Sequence, residues 1–134
     1  MTHRPAEEHF KIPQELDPTV AARMPIAERL QAFDSELSIN TTLGDYISLD
    51  FDNGTLKKNA VDIWPDRVSF LSYEAALLRD EFRAAKFKIE EFAGEEQHPT
   101  NKVRVMGVEL ADIEKHPELF RRATVESKIF VETN

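Results

Sequence analysis

The stretch Trp64-Pro65-Asp66-Arg67-Val68-Ser69-Phe70-Leu71-Ser72-Tyr73-Glu74-Ala75-Ala76-Leu77-Leu78-Arg79-Asp80-Glu81-Phe82-Arg83-Ala84-Ala85-Lys86-Phe87-Lys88-Ile89-Glu90-Glu91-Phe92 governs the reading of this chain. Within it Trp64, Val68, Leu71, Ala75, Leu78, Phe82, Ala85, Ile89 and Phe92 succeed one another at alternating steps of four and three. That is the heptad period. On a continuous helix it places all nine side chains on one seam, which must be buried against another helix. Pro65 and Asp66 suit the first turn, since proline's missing N–H is not needed there and an acid faces the positive end of the helix dipole. Gly94 is a natural stop. The spacing predicts a long helix from about 65 to 93.

With Val68 at position a, Glu74 faces Arg79 and Glu81 faces Lys86 across a parallel helix pair, charges of opposite sign that set orientation. Phe70, Tyr73 and Leu77 form a second apolar face on the first half. A two-stranded coil leaves that face wet, so a bundle or a crowded oligomer is the better expectation.

Outward from this segment the pattern is of shorter elements. Pro25 opens a helix whose stripe is Ile26, Leu30, Phe33 and Leu37, with Met24 placed to staple its first turn. Residues 47–51, Ile-Ser-Leu-Asp-Phe, alternate with period two and run into Asp52-Asn53-Gly54, a strand and a tight turn returning through Leu56. Lys102 to Met106 alternates briefly before Gly107. Residues 108–115 form a short helical pattern, broken at His116-Pro117, and Pro117 starts a last helix through Leu119, Phe120, Ala123 and Phe130. Pro5, Pro13 and Pro18 exclude a continuous helix from the first 24 residues. The expected organisation is an extended arm over 1–24, with Phe10 and Ile12 as its contact residues, followed by one domain over 25–134. The expected fold class is mainly α: a helical hairpin or bundle built on one long heptad helix, with a small β-hairpin.

The 134 residues are 41% hydrophobic and 31% charged, with a formal net charge of −8. Broad nonspecific nucleic-acid binding favours the opposite sign. A local cationic stripe is still present: Arg79, Arg83 and Lys86 at i, i+4 and i+7, with Lys102 and Arg104 on one side of the alternating segment. These five are the candidate phosphate contacts. There is no cysteine, which excludes disulfides, thiolate metal sites and cysteine nucleophiles. No run approaches the roughly 18 apolar residues of a membrane span. The N-terminus lacks the apolar core of a signal peptide, so a cytoplasmic location is expected.

Motifs for catalysis are missing. Asp50, Asp52 and Asn53 before Gly54 fail the EF-hand spacing, because Thr55 and Val61 stand where that loop needs glycine and glutamate. His3, His9, His98 and His116 have no i, i+3 or i, i+4 partner among themselves. Neither a phosphate loop nor a nucleophile elbow is present. The expectation is a non-enzymatic protein without metal, cofactor or small-molecule substrate.

One resemblance covers roughly the last half of the chain. A long, charged, alanine-containing helix (Tyr73-Glu74-Ala75-Ala76 through Ala84-Ala85-Lys86) meets a polar break. Ala111-Asp112-Ile113-Glu114-Lys115-His116-Pro117-Glu118-Leu119-Phe120 then opens a second helix. This layout resembles small phage-encoded helical-hairpin proteins, recombination mediators of the UvsY type. The resemblance implies oligomerisation through helices, single-stranded DNA binding and loading of a recombinase, in a host cytoplasm. The expected function is accordingly a self-associating, phage-type accessory protein of DNA metabolism. It would bind a protein partner through Trp64, Val68, Leu71, Leu78, Phe82, Ile89 and Phe92, with single-stranded DNA as a further ligand. Two alternatives stand beside it. One is a structural or adaptor subunit of a larger particle, such as a virion component. The other is an acidic inhibitor of a host nucleic-acid enzyme, whose encounter the −8 charge steers.

Overall fold

The computed structural model describes residues 16–90 and 101–134. Six strands form one antiparallel sheet in the order β1-β2-β3-β4-β6-β5. They are β1 Leu37–Asn40, β2 Ile47–Asp52, β3 Lys57–Ile63, β4 Arg67–Leu71, β5 Lys88–Ile89 and β6 Lys102–Met106. Among the described residues five helices accompany them: α1 Pro18–Ala21, α2 Met24–Gln31, α3 Ala75–Ala84, α4 Leu110–Lys115 and α5 Pro117–Thr133.

The sheet follows from alternation. One row of paired residues runs Ile47, Ile63, Val68, Val105, Ile89 across five strands. All five are buried, and they share a single core with Leu30 of α2, Leu78 and Phe82 of α3, Ile113 of α4 and Phe120 of α5. The adjacent row, Asn40, Ser48, Asp62, Ser69, Arg104, points to the opposite face and is polar throughout. Successive residues of a strand face opposite ways, so two neighbouring rows of such different character fix the register. Helix α5 crosses β2, β3 and β4, α2 lies on β1 and β2, and α3 lies on β5 and β6. A cluster of Phe70, Phe82, Phe87 and Phe120, with ring centroids 5.3 to 6.3 Å apart, joins α3 and α5 to the sheet.

The long heptad helix does not exist, and the mainly α bundle built on it is replaced by a sheet with helices packed on it. The stretch holds a strand, a ten-residue helix and a second strand. Pro65 is the point of divergence. Its fixed φ suits both the first turn of a helix and the second position of a β-turn. Here Trp64 N–H donates to Arg67 O (2.8 Å), closing a four-residue turn between β3 and β4. In β4 the core side chains are Val68 and Phe70, a period of two, and Leu71 points away from them. At the far end Lys86 adopts φ 75°, ending α3. Phe87 N–H donates to Phe82 O (3.0 Å), the bond that closes a helix C-terminus with a left-handed residue.

Elsewhere, the period-two run at 47–51 is β2, and Gly54 supplies the φ of 91° that its turn needs. Leu37 belongs to β1 rather than to the helix before it. Helix α1 lies within the segment read as an arm; Asp17 Oδ1 accepts from Thr19 N–H (2.8 Å) at its start, and Val20 is buried. Phe10, Ile12 and Phe92 lie outside the described residues.

Candidate functional site

The seam residues are mostly interior. Val68, Leu78, Phe82 and Ile89 are buried in the monomer's own core, contributed by β4, α3 and β5. They cannot also form an interface. Trp64 stacks on Tyr46 (4.4 Å between centroids, 15°), and the Arg67 guanidinium sits 4.7 Å over the indole. Leu71 is half-buried, its N–H bonded to Ser127 Oγ (2.9 Å). These residues therefore form no single ribbon.

The candidate phosphate contacts are also dispersed. Arg79 Nη2 donates to Lys102 O (2.8 Å), and Arg83 pairs with Asp80 (3.3 Å). Arg104, on the polar row of the sheet, pairs with Glu90 (3.3 Å). Lys86 has left the helix altogether. The expected stripe on a continuous helix is thus reduced to Arg79 and Arg83 on α3, both engaged with neighbours.

What the fold leaves outward is a groove between the start of α3 and the middle of α5. Ser72 builds its floor. Its Oγ accepts the Glu74 N–H (2.9 Å), turning the chain into α3, and donates to Glu126 Oε1 (2.5 Å) on α5. Because α3 buries Ala75, Leu78 and Phe82, the helical repeat sends Leu77 to the surface, where it is 53% exposed. Tyr73 is 57% exposed and Ile129 of α5 is 41% exposed. A cavity of about 210 Å³ lies among Ser72, Tyr73, Glu74, Glu126 and Ile129. A second of about 120 Å³ continues past Leu77 and Arg122, sharing Glu74 and Glu126 with the first.

The groove is held in shape. The Tyr73 ring rests on Phe130 (4.7 Å between centroids, 45°), and its hydroxyl meets Thr133 Oγ1 and accepts from Asn134 Nδ2 (2.8 Å). Arg122 bridges Glu81 (2.7 Å) on α3 and Glu126 (3.2 Å) on its own helix, and these carboxylates raise the guanidinium above its ordinary pKa. Glu74 has no cationic partner among the described residues. The local balance is three carboxylates, Glu74, Glu81 and Glu126, against one guanidinium. Such a groove offers apolar contact and a negative rim, with the Ser72 hydroxyl bonded to the Glu126 carboxylate in its floor.

Tyr73 and Leu77 carried a visible signal as an i, i+4 apolar pair outside the heptad seam. Glu74, Glu126 and Ile129 carried none, because only the packing of α5 brings them alongside. Comparison with known protein families, curated proteins and solved structures finds no match for this chain.

Proposed function

We propose that this protein acts by association rather than catalysis, receiving in the α3–α5 groove a segment of a protein partner that carries an apolar side chain flanked by Lys or Arg. The observation that carries the reading is the side-by-side exposure of Tyr73, Leu77 and Ile129 within an acidic rim. Large apolar side chains held rigid in a cleft with fixed charges at its edge are the usual makings of a binding hot spot. Covering each of the three, roughly half exposed, contributes about 1 kcal/mol. The rim charge, and the −8 of the whole chain, favour encounter with a basic partner. An adaptor role in a larger assembly is the setting this reading fits. The self-association and single-stranded DNA expectations drew on a helical-hairpin resemblance together with a continuous helix and its cation stripe, and that helix is absent.

The test is fluorescence anisotropy with two labelled amphipathic helical peptides, one of Leu and Lys and one of Leu and Glu. The basic peptide is expected to bind and the acidic one not. Leu77→Asp and Ile129→Asp should each weaken binding by at least about tenfold, the lost apolar contact adding to the cost of setting a carboxylate against an apolar side chain. Equal binding of the two peptides, or no effect of either substitution, removes the reading. Light scattering on the same variants separates a second copy of this chain from a foreign partner.

A further inference from the structure

A second cavity lies on the other side of α3's carboxyl end and has the opposite electrical character. It measures about 320 Å³ and is bordered by Lys86, Lys88, Lys115, His116 and Asp112. Three separate parts of the chain line it: the turn from α3 into β5, the end of β6 with Gly107, and α4 with its junction to α5. The Phe87 ring meets His116 edge-on at 5.7 Å, tying the first part to the third.

Three observations single this cavity out. Arginines elsewhere are matched by acids: Arg29 with Glu114, Arg67 with Asp66, Arg121 with Glu118, Arg122 with Glu81. Lys86, Lys88 and Lys115, like Lys57 and Lys102, pair with no carboxylate among the described residues, and here three such cations border one cavity although the chain has an excess of eight acids. The one acid at the cavity, Asp112, is already committed, its Oδ2 accepting the Glu109 N–H (2.8 Å) in the capping box of α4. Finally, Lys86 is the only non-glycine of positive φ among the described residues, φ 75°. It stands where helix ends ordinarily place glycine. A left-handed residue with a side chain costs more there than glycine does, and here it sets an ammonium group at the cavity wall.

We propose that this cavity is a binding site for a compact, multiply charged phosphate anion, held by Lys86, Lys88 and Lys115 with His116 at its inner wall. Lysine ammonium groups serve as point charges for phosphoryl oxygens. His116 also precedes the first turn of α5, a 17-residue helix whose start no side chain caps and whose first turn carries Glu118. The limited volume favours a small anion over an extended strand. The site is distinct from the α3–α5 groove, and neither requires the other.

Isothermal titration calorimetry of the full chain with inorganic pyrophosphate at low salt tests this. One-to-one saturable binding is expected, weakened at least about tenfold by Lys115→Glu. Lys86→Gly is the decisive variant. Relief of the left-handed backbone should raise the melting temperature by roughly 2–6 °C while removal of the ammonium lowers pyrophosphate affinity by at least about fivefold. A more stable protein that binds less tightly is not what a merely structural lysine produces. No saturable binding to the folded protein, or affinity unchanged in both variants, overturns the proposal. A 12-nucleotide single strand that binds at these lysines and is not displaced by pyrophosphate overturns it too, since the ligand would then be an extended polyanion.

Discussion

Ser127, sunk in the middle of α5, accepts the hydrogen bond of the Leu71 N–H at 2.9 Å. The β3–β4 ladder stops at the pair Asp62 and Ser69, so this amide has no strand partner on that side. The hydroxyl supplies one, and itself donates to Ala123 O (2.8 Å). A single small side chain thus takes over where the β3–β4 ladder stops, bonds a helix carbonyl and fixes how α5 sits over β4, which in turn fixes the groove.

Replacing Ser127 by Ala should leave the Leu71 amide buried and unpaired, at about 1–3 kcal/mol. Thr124→Val is the matched control. Its Oγ1 donates only to Phe120 O within α5 (2.8 Å), and the effect should stay below about 1 kcal/mol. Urea denaturation of the two variants measures the difference.

Phe82 touches Phe70, Phe87 and Phe120 and has no exposed surface. Phe82→Ala should destabilise by about 3–5 kcal/mol through lost contacts and a residual cavity. Leu77→Ala, five residues earlier on the outer face of the same helix, should change stability by less than about 0.5 kcal/mol while weakening peptide binding. Thermal melts and anisotropy together separate core from groove.

Asp62 predicts a pH effect of definite sign. Burial raises its carboxyl above the ordinary 3.8, with Asp50 adding to the rise and Lys102, Ser48 and Arg104 opposing it. One of its oxygens, Oδ1, is buried without a hydrogen bond. The folded protein therefore holds this proton more tightly than the unfolded chain. Its contribution to stability grows as pH falls from neutral through the folded pKa, and levels off below 3.8. Asp62→Asn should be more stable than the parent at pH 7, with the gap closing towards pH 4. A less stable variant at pH 7 would mean that the cations outweigh burial.

Arg23 joins three segments. Its Nε donates to Trp64 O (3.0 Å), its Nη1 lies 3.7 Å from Glu109, and its Nη2 is buried without a partner. Desolvation lowers its pKa, with Glu109 and Asp66 opposing. Arg23→Ala should cost about 1–3 kcal/mol by orphaning the Trp64 carbonyl. Glu109→Gln should cost far less, because that side chain is 71% exposed and exposed pairs are weak. Denaturation midpoints for the two variants check the ordering.

Much of the local structure was legible. The alternation of Ile47 to Phe51, the Asp52-Asn53-Gly54 turn, the alternation after Lys102 and the proline opening α5 each depend on neighbours in the chain, and each has its element in the structure. The segment 64–92 misled for an equally local reason. Val68 on a strand, Leu78 and Phe82 on a helix and Ile89 on another strand share one core, and their spacing happens to fit a heptad. Phe70, buried yet out of phase with that heptad, was the residue in conflict.

From its order of residues alone, this chain settled where its strands alternate and where it must turn, since side-chain polarity and the backbone limits of Pro and Gly belong to each residue and its immediate neighbours. Only the tertiary structure decided that Val68, Phe82 and Ile89 face one another across a sheet rather than along a helix. It alone brought Glu74 to Ile129 and Lys86 to Lys115. Pairing energies between distant strands and helices depend on contacts that no periodicity within a single segment encodes.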